Sequence, residues 1–257
     1  DLLLQAVDAT VRSAVGLHIK CSEEEGSLFQ TIPSSITFHT EKMTCSAEEA
    51  LLHMQADVET LLDLRKDNLV RAVLFSASSE EHFLYLRIHH LVSDAYSFRL
   101  LFQQISERYS ALFQNKTYTK HFGDYVQMVE QEVQYKTSEQ VKLDAAYWCS
   151  KLQGTEVISL SRKKSSQMGQ VILYQSPLSS TTLDSLQKCS KQVQVNMQEV
   201  ISAAVIAYTK RMTQAKDVIV GIPMMNRFGH KAMSVPCTRV NILPLRASFN
   251  TEQTFEE

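Results

Sequence analysis

The stretch from Leu69 to Phe113 constrains the fold more than any other part of the chain. Leu69 to Ala77 and His82 to His89 are short runs rich in Val, Leu and Phe, with the polar SSEE between them. Such runs, bounded by polar residues, read as two strands joined by a hairpin connection. Directly afterwards, Leu101, Ile105, Tyr109 and Leu112 recur on one helical face, so a helix is expected from just after Asp94 to about Phe113. Helical and strand patterns alternate elsewhere too, which argues for a mixed α/β fold, a mixed sheet with packed helices.

The remaining elements follow from the same periods. Leu4, Val7, Val11 and Val15 place a helix over residues 1–15. Ser46 is the expected N-cap of a helix reaching about Leu64, with Glu49 closing a capping box. A long helical region is expected from about Phe122 to Leu152, followed by a polar, basic crossover between Gln153 and Gln170. Beyond it lie an expected strand near Val171 to Pro177, a helix capped by Thr182 through Lys191, and an apolar helix from Met197 to Met212. A buried strand, Asp217 to Pro223, and a last strand near Val240 to Leu245 complete the reading.

The chain has 257 residues, 44% of them hydrophobic, enough for one substantial core or two smaller ones. A formal net charge of −2 gives no basic footprint, so no nucleic-acid partner is expected. No apolar run approaches the ~20 residues that cross a bilayer, so no membrane association is expected. The start, DLLLQAVDAT, has neither a basic n-region nor a cleavage pattern, and without an initiator Met the chain is expected to begin inside a longer protein. Cys21, Cys45, Cys149, Cys189 and Cys237 are scattered and never form a CxxC pair. Each is expected to be a reduced, buried structural thiol in a cytoplasmic protein.

Chemistry concentrates in LRIHHLVSDAYSF, residues 86–98. On a strand, His89 and His90 point to opposite faces, which argues against both ligating one metal ion. Neither an HExxH pattern nor a carboxylate cluster completes a metal site, so none is expected. A single His suits general-base work, because its unperturbed pKa is about 6.5. Asp94, at the mouth of the following helix, either caps it or pairs with a distant cation. On these residues alone, two satisfied core or edge histidines remain the competing reading.

Other blocks join this one. HHLVSDAYS resembles the HHxxxDGxS signature of nonribosomal peptide synthetase condensation domains. LLDLRKDNLVRAVLF (61–75), HFGDYV (121–126), AAYWCSKLQG (145–154) and DVIVGIPMMNR (217–227) followed by VNILPLR (240–246) resemble further motifs of that family, in its order. The resemblance implies two lobes like chloramphenicol acetyltransferase. Residues 1–165 would form an N-terminal lobe lacking the family's first motif, and 166–257 the first part of an incomplete C-terminal lobe.

It also implies acyl transfer that forms a peptide (amide) bond in secondary-metabolite synthesis. An acyl or peptidyl thioester on a donor carrier protein meets an aminoacyl thioester on an acceptor carrier. Both hang from phosphopantetheine arms held by those partners, and the domain itself binds no cofactor. Adjacent adenylation and carrier domains would belong to the same synthetase. His90 is the implied catalytic residue, with His89 supporting the fold and Asp94 pairing with Arg227. Ser97 either donates to the oxyanion or caps the helix, while Asn226 and Asn241 either satisfy backbone groups or line the tunnel. The family's motif glycine is Ala95 here, which strains the loop if that position needs positive φ, though its N–H remains available to an oxyanion. Two other functions stay open: an ester-forming O-acyltransferase of the same fold, and a degenerate, non-catalytic docking platform.

Overall fold

The structure is a computed structural model that describes residues 1–156, 158, 160, 174–227 and 232–249. The chain divides into two compact units, Asp1–Ser138 with Met224–Asn241, and Glu139–Pro223 with Ile242–Glu257. The boundary expected at residue 165 lies outside the described residues.

The first unit opens with helix α1 (Leu2–Ser13) and a 3-10 turn, Val15–His18. A hairpin of β1 (Lys20–Glu24) and β2 (Ser27–Thr31) follows, then strand β3 (Glu41–Thr44). The sequence periods gave no sign of these three strands, because β2 is exposed along its whole length and carries no alternating burial. Helix α2 (Ala47–Glu59) starts at the Ser46–Glu49 capping box. It stops short of Leu64 because Thr60 is extended (φ −70°, ψ 122°).

Strands β4 (Val70–Ser76) and β5 (His82–Ile88) form the antiparallel hairpin, with Val70 opposite Ile88 and Ser76 opposite His82. β3 adds in parallel to the other edge of β4. The pleat sorts the side chains by parity. Val70, Ala72, Leu84, Leu86 and Ile88 join the larger core with α1, helix α3 (Ala95–Phe113) and helix α4 (Tyr125–Lys136). Val73, Phe75, Phe83 and Tyr85 face Ala50 and Met54 of α2. Gly16 sits where an added Cβ would meet the Pro236 carbonyl at 2.7 Å and the Tyr125 ring at 2.9 Å. Its missing side chain therefore lets the 232–241 segment lie against this core.

The second unit contains helices α5 (Glu139–Leu152), α6 (Ser180–Gln192) and α7 (Met197–Thr213), and, apart from the end residues Met224 and Asn241, the paired strands β6 (Asp217–Met224) and β7 (Asn241–Ser248). The helical pattern from Phe122 to Leu152 is thus two helices. The Thr137 and Ser138 hydroxyls donate back to the carbonyls of Gln134 (3.1 Å) and Tyr135 (2.7 Å), which competes with continuing the turn. α6 is capped by Ser179, which accepts from the Thr182 N–H, and not by Thr182 itself. Of the strand expected near Val171 to Pro177, residues 171–173 lie outside the described residues and Tyr174–Pro177 carry no strand. β6 is less buried than expected, with only Val218 fully enclosed.

All five cysteines are free thiols, yet only Cys237 is buried and Cys149 is exposed. Among the described residues, no helix is long and apolar enough to cross a membrane.

Candidate active site

β5 ends at Ile88, so His89 and His90 do not continue the strand; His90 opens a tight turn through Val92. The argument that pleating points them to opposite faces therefore fails. A turn sets each ring separately. The His89 N–H still donates to the Leu69 carbonyl (2.8 Å), and its carbonyl accepts from the Val92 N–H (3.0 Å). Its ring Nδ1 accepts the Leu91 N–H at 3.1 Å, which places the imidazole proton on Nε2. His89 is thus committed to closing the turn. His90 is exposed, and its carbonyl accepts the hydroxyl of Thr238.

Just beyond, the chain enters a buried polar network. Asp94 is the N-cap of α3 and accepts the Ser97 N–H at 2.8 Å. Its carboxylate also takes Arg227 Nη2 (3.0 and 3.1 Å) and the backbone N–H groups of Arg239 (3.0 Å) and Val240 (3.2 Å). Arg227 Nη1 donates to the carbonyls of Ala232 and Val235, both at 2.8 Å, and Nη2 reaches the Cys237 carbonyl at 2.6 Å. The Tyr96 ring covers the guanidinium at 4.9 Å, while its hydroxyl donates to the Met233 carbonyl. Both charged side chains are almost wholly removed from solvent. Burial alone would raise the Asp94 carboxyl. The N–H groups of Arg239 and Ser97, the Ser97 hydroxyl and the Arg227 charge outweigh it and hold the carboxyl below the usual carboxylate range.

Ser97 does not cap α3, because Asp94 holds that position and Ser97 lies inside the first turn. Its hydroxyl is fully buried and accepts from the Cys237 N–H (2.9 Å) and Arg227 (3.0 Å). Its single proton goes to Asp94 or to the Cys237 carbonyl. No donor is left for an oxyanion. Ala95 is the first residue of α3 and is not among the residues with positive φ. The glycine-to-alanine change therefore places no strain on the loop.

Asn226 and Asn241 both line a cleft of about 400 Å³ between α4 and the 238–241 segment, with Met128, Glu132 and Val133 on the α4 side. Asn226 has φ +49°, a left-handed conformation that Asn tolerates, and its carbonyl accepts Arg239 Nε at 2.8 Å. Arg239 Nη2 is paired with Glu132 at 2.5 Å. Thr238, Arg239, Cys237 and Tyr96 are the site residues that sequence reasoning missed. The first three lie on an irregular segment without a period, and Tyr96 stands at an unspecified position of the motif. Among the described residues, no group of three or more His, Cys, Asp or Glu side chains is placed to hold a metal ion.

Comparison with known proteins fits this arrangement. A family model for the condensation domain matches residues 1–257. A dimodular nonribosomal peptide synthase of Bacillus subtilis (strain 168) is 28% identical over 263 residues, covering 100% of this chain and 11% of that protein. Enterobactin synthase component F of Escherichia coli (strain K12) is 26% identical over 268 residues, covering 100% of this chain and 21% of that protein. The chain thus spans only a small part of these relatives. Among solved structures, the first condensation domain of the calcium-dependent antibiotic synthetase, in complex with a substrate analogue, superposes with a TM-score of 0.83 at 26% identity, covering 99% of this chain and 62% of that one.

Proposed function

Because the chain belongs to the condensation-domain family, we propose that it catalyses amide formation in nonribosomal peptide synthesis. The substrates are an acyl or peptidyl thioester on a donor carrier protein and an aminoacyl thioester on an acceptor carrier. Their phosphopantetheine arms bring both reacting groups to His90, and the domain needs no resident cofactor. The acceptor nitrogen attacks the thioester carbonyl carbon, a C–N bond forms and the C–S bond breaks. His90 takes the proton that the nitrogen sheds, and the departing thiolate ends as a thiol with that proton. Such general-base assistance is worth roughly 10²–10⁴-fold.

The observation that carries this reading is the exposed His90 on a turn tied to a buried polar network. An exposed base can meet two incoming arms, and a rigid support provides the positioning on which thioester aminolysis depends. A free amine is nucleophilic as it stands, and an α-ammonium group, with its ordinary pKa of about 8, reaches that form near neutral pH, whereas an alcohol needs a far stronger base. His89, Asp94 and Arg227 hold the turn and do not touch substrate.

The test uses the full-length protein with a donor carrier bearing an octanoyl thioester and acceptor carriers bearing each of the twenty amino acids in turn. Mass spectrometry follows the acyl group. Transfer to an acceptor amine, at least about 100-fold slower in His90→Ala, is the expected result. Transfer only to a hydroxyl acceptor would replace the amide with an ester. Carrier binding without transfer to either would leave a docking platform.

A further inference from the structure

We propose that Thr238 is a positioning residue for His90, an inference that rests on His90 being the base. The turn beyond β5 is short, and His90 itself is exposed, so packing does not fix it. Its peptide carbonyl is instead held by the Thr238 hydroxyl. The two residues are 148 apart in sequence, so the contact depends wholly on where the 232–241 segment docks.

That docking is rigid on both sides of Thr238. Before it, the Cys237 N–H and carbonyl are bound by Ser97 Oγ (2.9 Å) and Arg227 Nη2 (2.6 Å). After it, the Arg239 and Val240 N–H groups are both bound by Asp94 Oδ2. Thr238 is therefore the one residue of this run that faces the His90 turn while its neighbours are clamped by buried charge. The peptide plane beyond His90 is held at its carbonyl by that hydroxyl and at its N–H by His89 Nδ1. Rotating this plane swings the His90 side chain, and a displacement of about 1 Å can cost up to 100-fold in rate. The Asp94–Arg227 pair thus acts on the base through Thr238.

Thr238→Val keeps the shape and removes the donor; Thr238→Ser keeps the donor. With the full-length protein, an octanoyl donor carrier and the aminoacyl acceptor carrier that gave product, Thr238→Val is expected to lower kcat about tenfold. The KM for either carrier stays unchanged, and Thr238→Ser remains within about twofold of the wild type. In the His90→Ala background, Thr238→Val has no further effect. In protein carrying ¹⁵N-histidine, the His90 ring resonances shift or broaden in Thr238→Val and return in Thr238→Ser, which reads the position of the ring without turnover. A Thr238→Val rate within twofold of the wild type, an undisturbed His90 ring, a serine variant as slow as the valine variant, or equal slowing on top of His90→Ala would each overturn the proposal. If His90→Ala alone keeps the full rate, the base reading itself falls and the positioning role falls with it.

Discussion

The first unit contains two ionic networks built from the same chemistry, one sealed from solvent and one open to it along one side. Asp94 and Arg227 are sealed from solvent. Over the hairpin, Asp57 of α2 sits between Arg71 (2.5 Å) and Arg87 (3.0 Å) and also accepts the Tyr85 hydroxyl (2.8 Å). Arg71 additionally forks onto Glu41 and is about a third exposed. The register places Arg71 directly opposite Arg87, a like-charge cross-strand pair that is unfavourable without a carboxylate between them. Asp57 and Glu41 thus neutralise a local conflict within one sheet and its covering helix. Asp94 and Arg227 instead join segments 133 residues apart. Exposure separates the two energetically, because water can replace a lost partner in one network and not in the other.

Removing one partner from each network tests that difference most strongly. Arg227→Leu leaves the Asp94 carboxylate buried without its counter-charge, held only by the Ser97, Arg239 and Val240 donors, and should cost about 3 kcal/mol in urea denaturation. Asp57→Asn leaves two arginines face to face but partly hydrated, and should cost about 2 kcal/mol in the same assay. A smaller loss for Arg227→Leu than for Asp57→Asn would reverse the comparison.

The pH dependence separates the networks by sign. Asp94 is held below the usual carboxylate range, so its contribution is full above the ordinary value of about 4 and is lost as pH falls through the folded value. Tyr85 is pushed up to about 12, by burial first and then by Asp57. The unfolded phenol ionises near 10, so its contribution is lost as pH rises from about 10 towards 12. Tyr85→Phe should flatten that alkaline limb in thermal melts and leave the acid limb unchanged.

His18 complicates the acid side. Burial lowers it despite its 2.9 Å hydrogen bond to the Val11 carbonyl. The unfolded chain therefore takes up a proton below about 6.5 that the folded chain refuses, and stability declines as pH falls from there. His18→Gln should remove this first decline and expose the later one due to Asp94. As a floor for the whole series, Glu139→Gln breaks the fully surface-exposed pair with Lys142 and should change stability by under about 0.5 kcal/mol.

Local order was legible from sequence wherever a short-range pattern encodes it. The Ser46–Glu49 capping box, the β4–β5 hairpin, the start of α3 behind Asp94 and the run of α7 each depend on residues within a few positions. Legibility failed where a local pattern has two outcomes. The apolar period continues through Thr137 and Ser138, yet their hydroxyls end α4; likewise β5 stops one residue before His89. The resemblance paired Asp94 with Arg227, but pointed to neither Thr238 nor Tyr96.

The sequence by itself thus determined the mixed α/β class, most helices and strands, and membership of the condensation-domain family, because periodicity, caps and ordered motifs are written in neighbouring residues. Only the tertiary structure decided that Ser97 is buried and unavailable, that Ala95 is unstrained, and that Thr238 meets the His90 carbonyl. Those outcomes follow from the docking of residues 232–241 against Gly16 and α3. Burial and hydrogen-bond partnership arise between distant segments, and no local period records them.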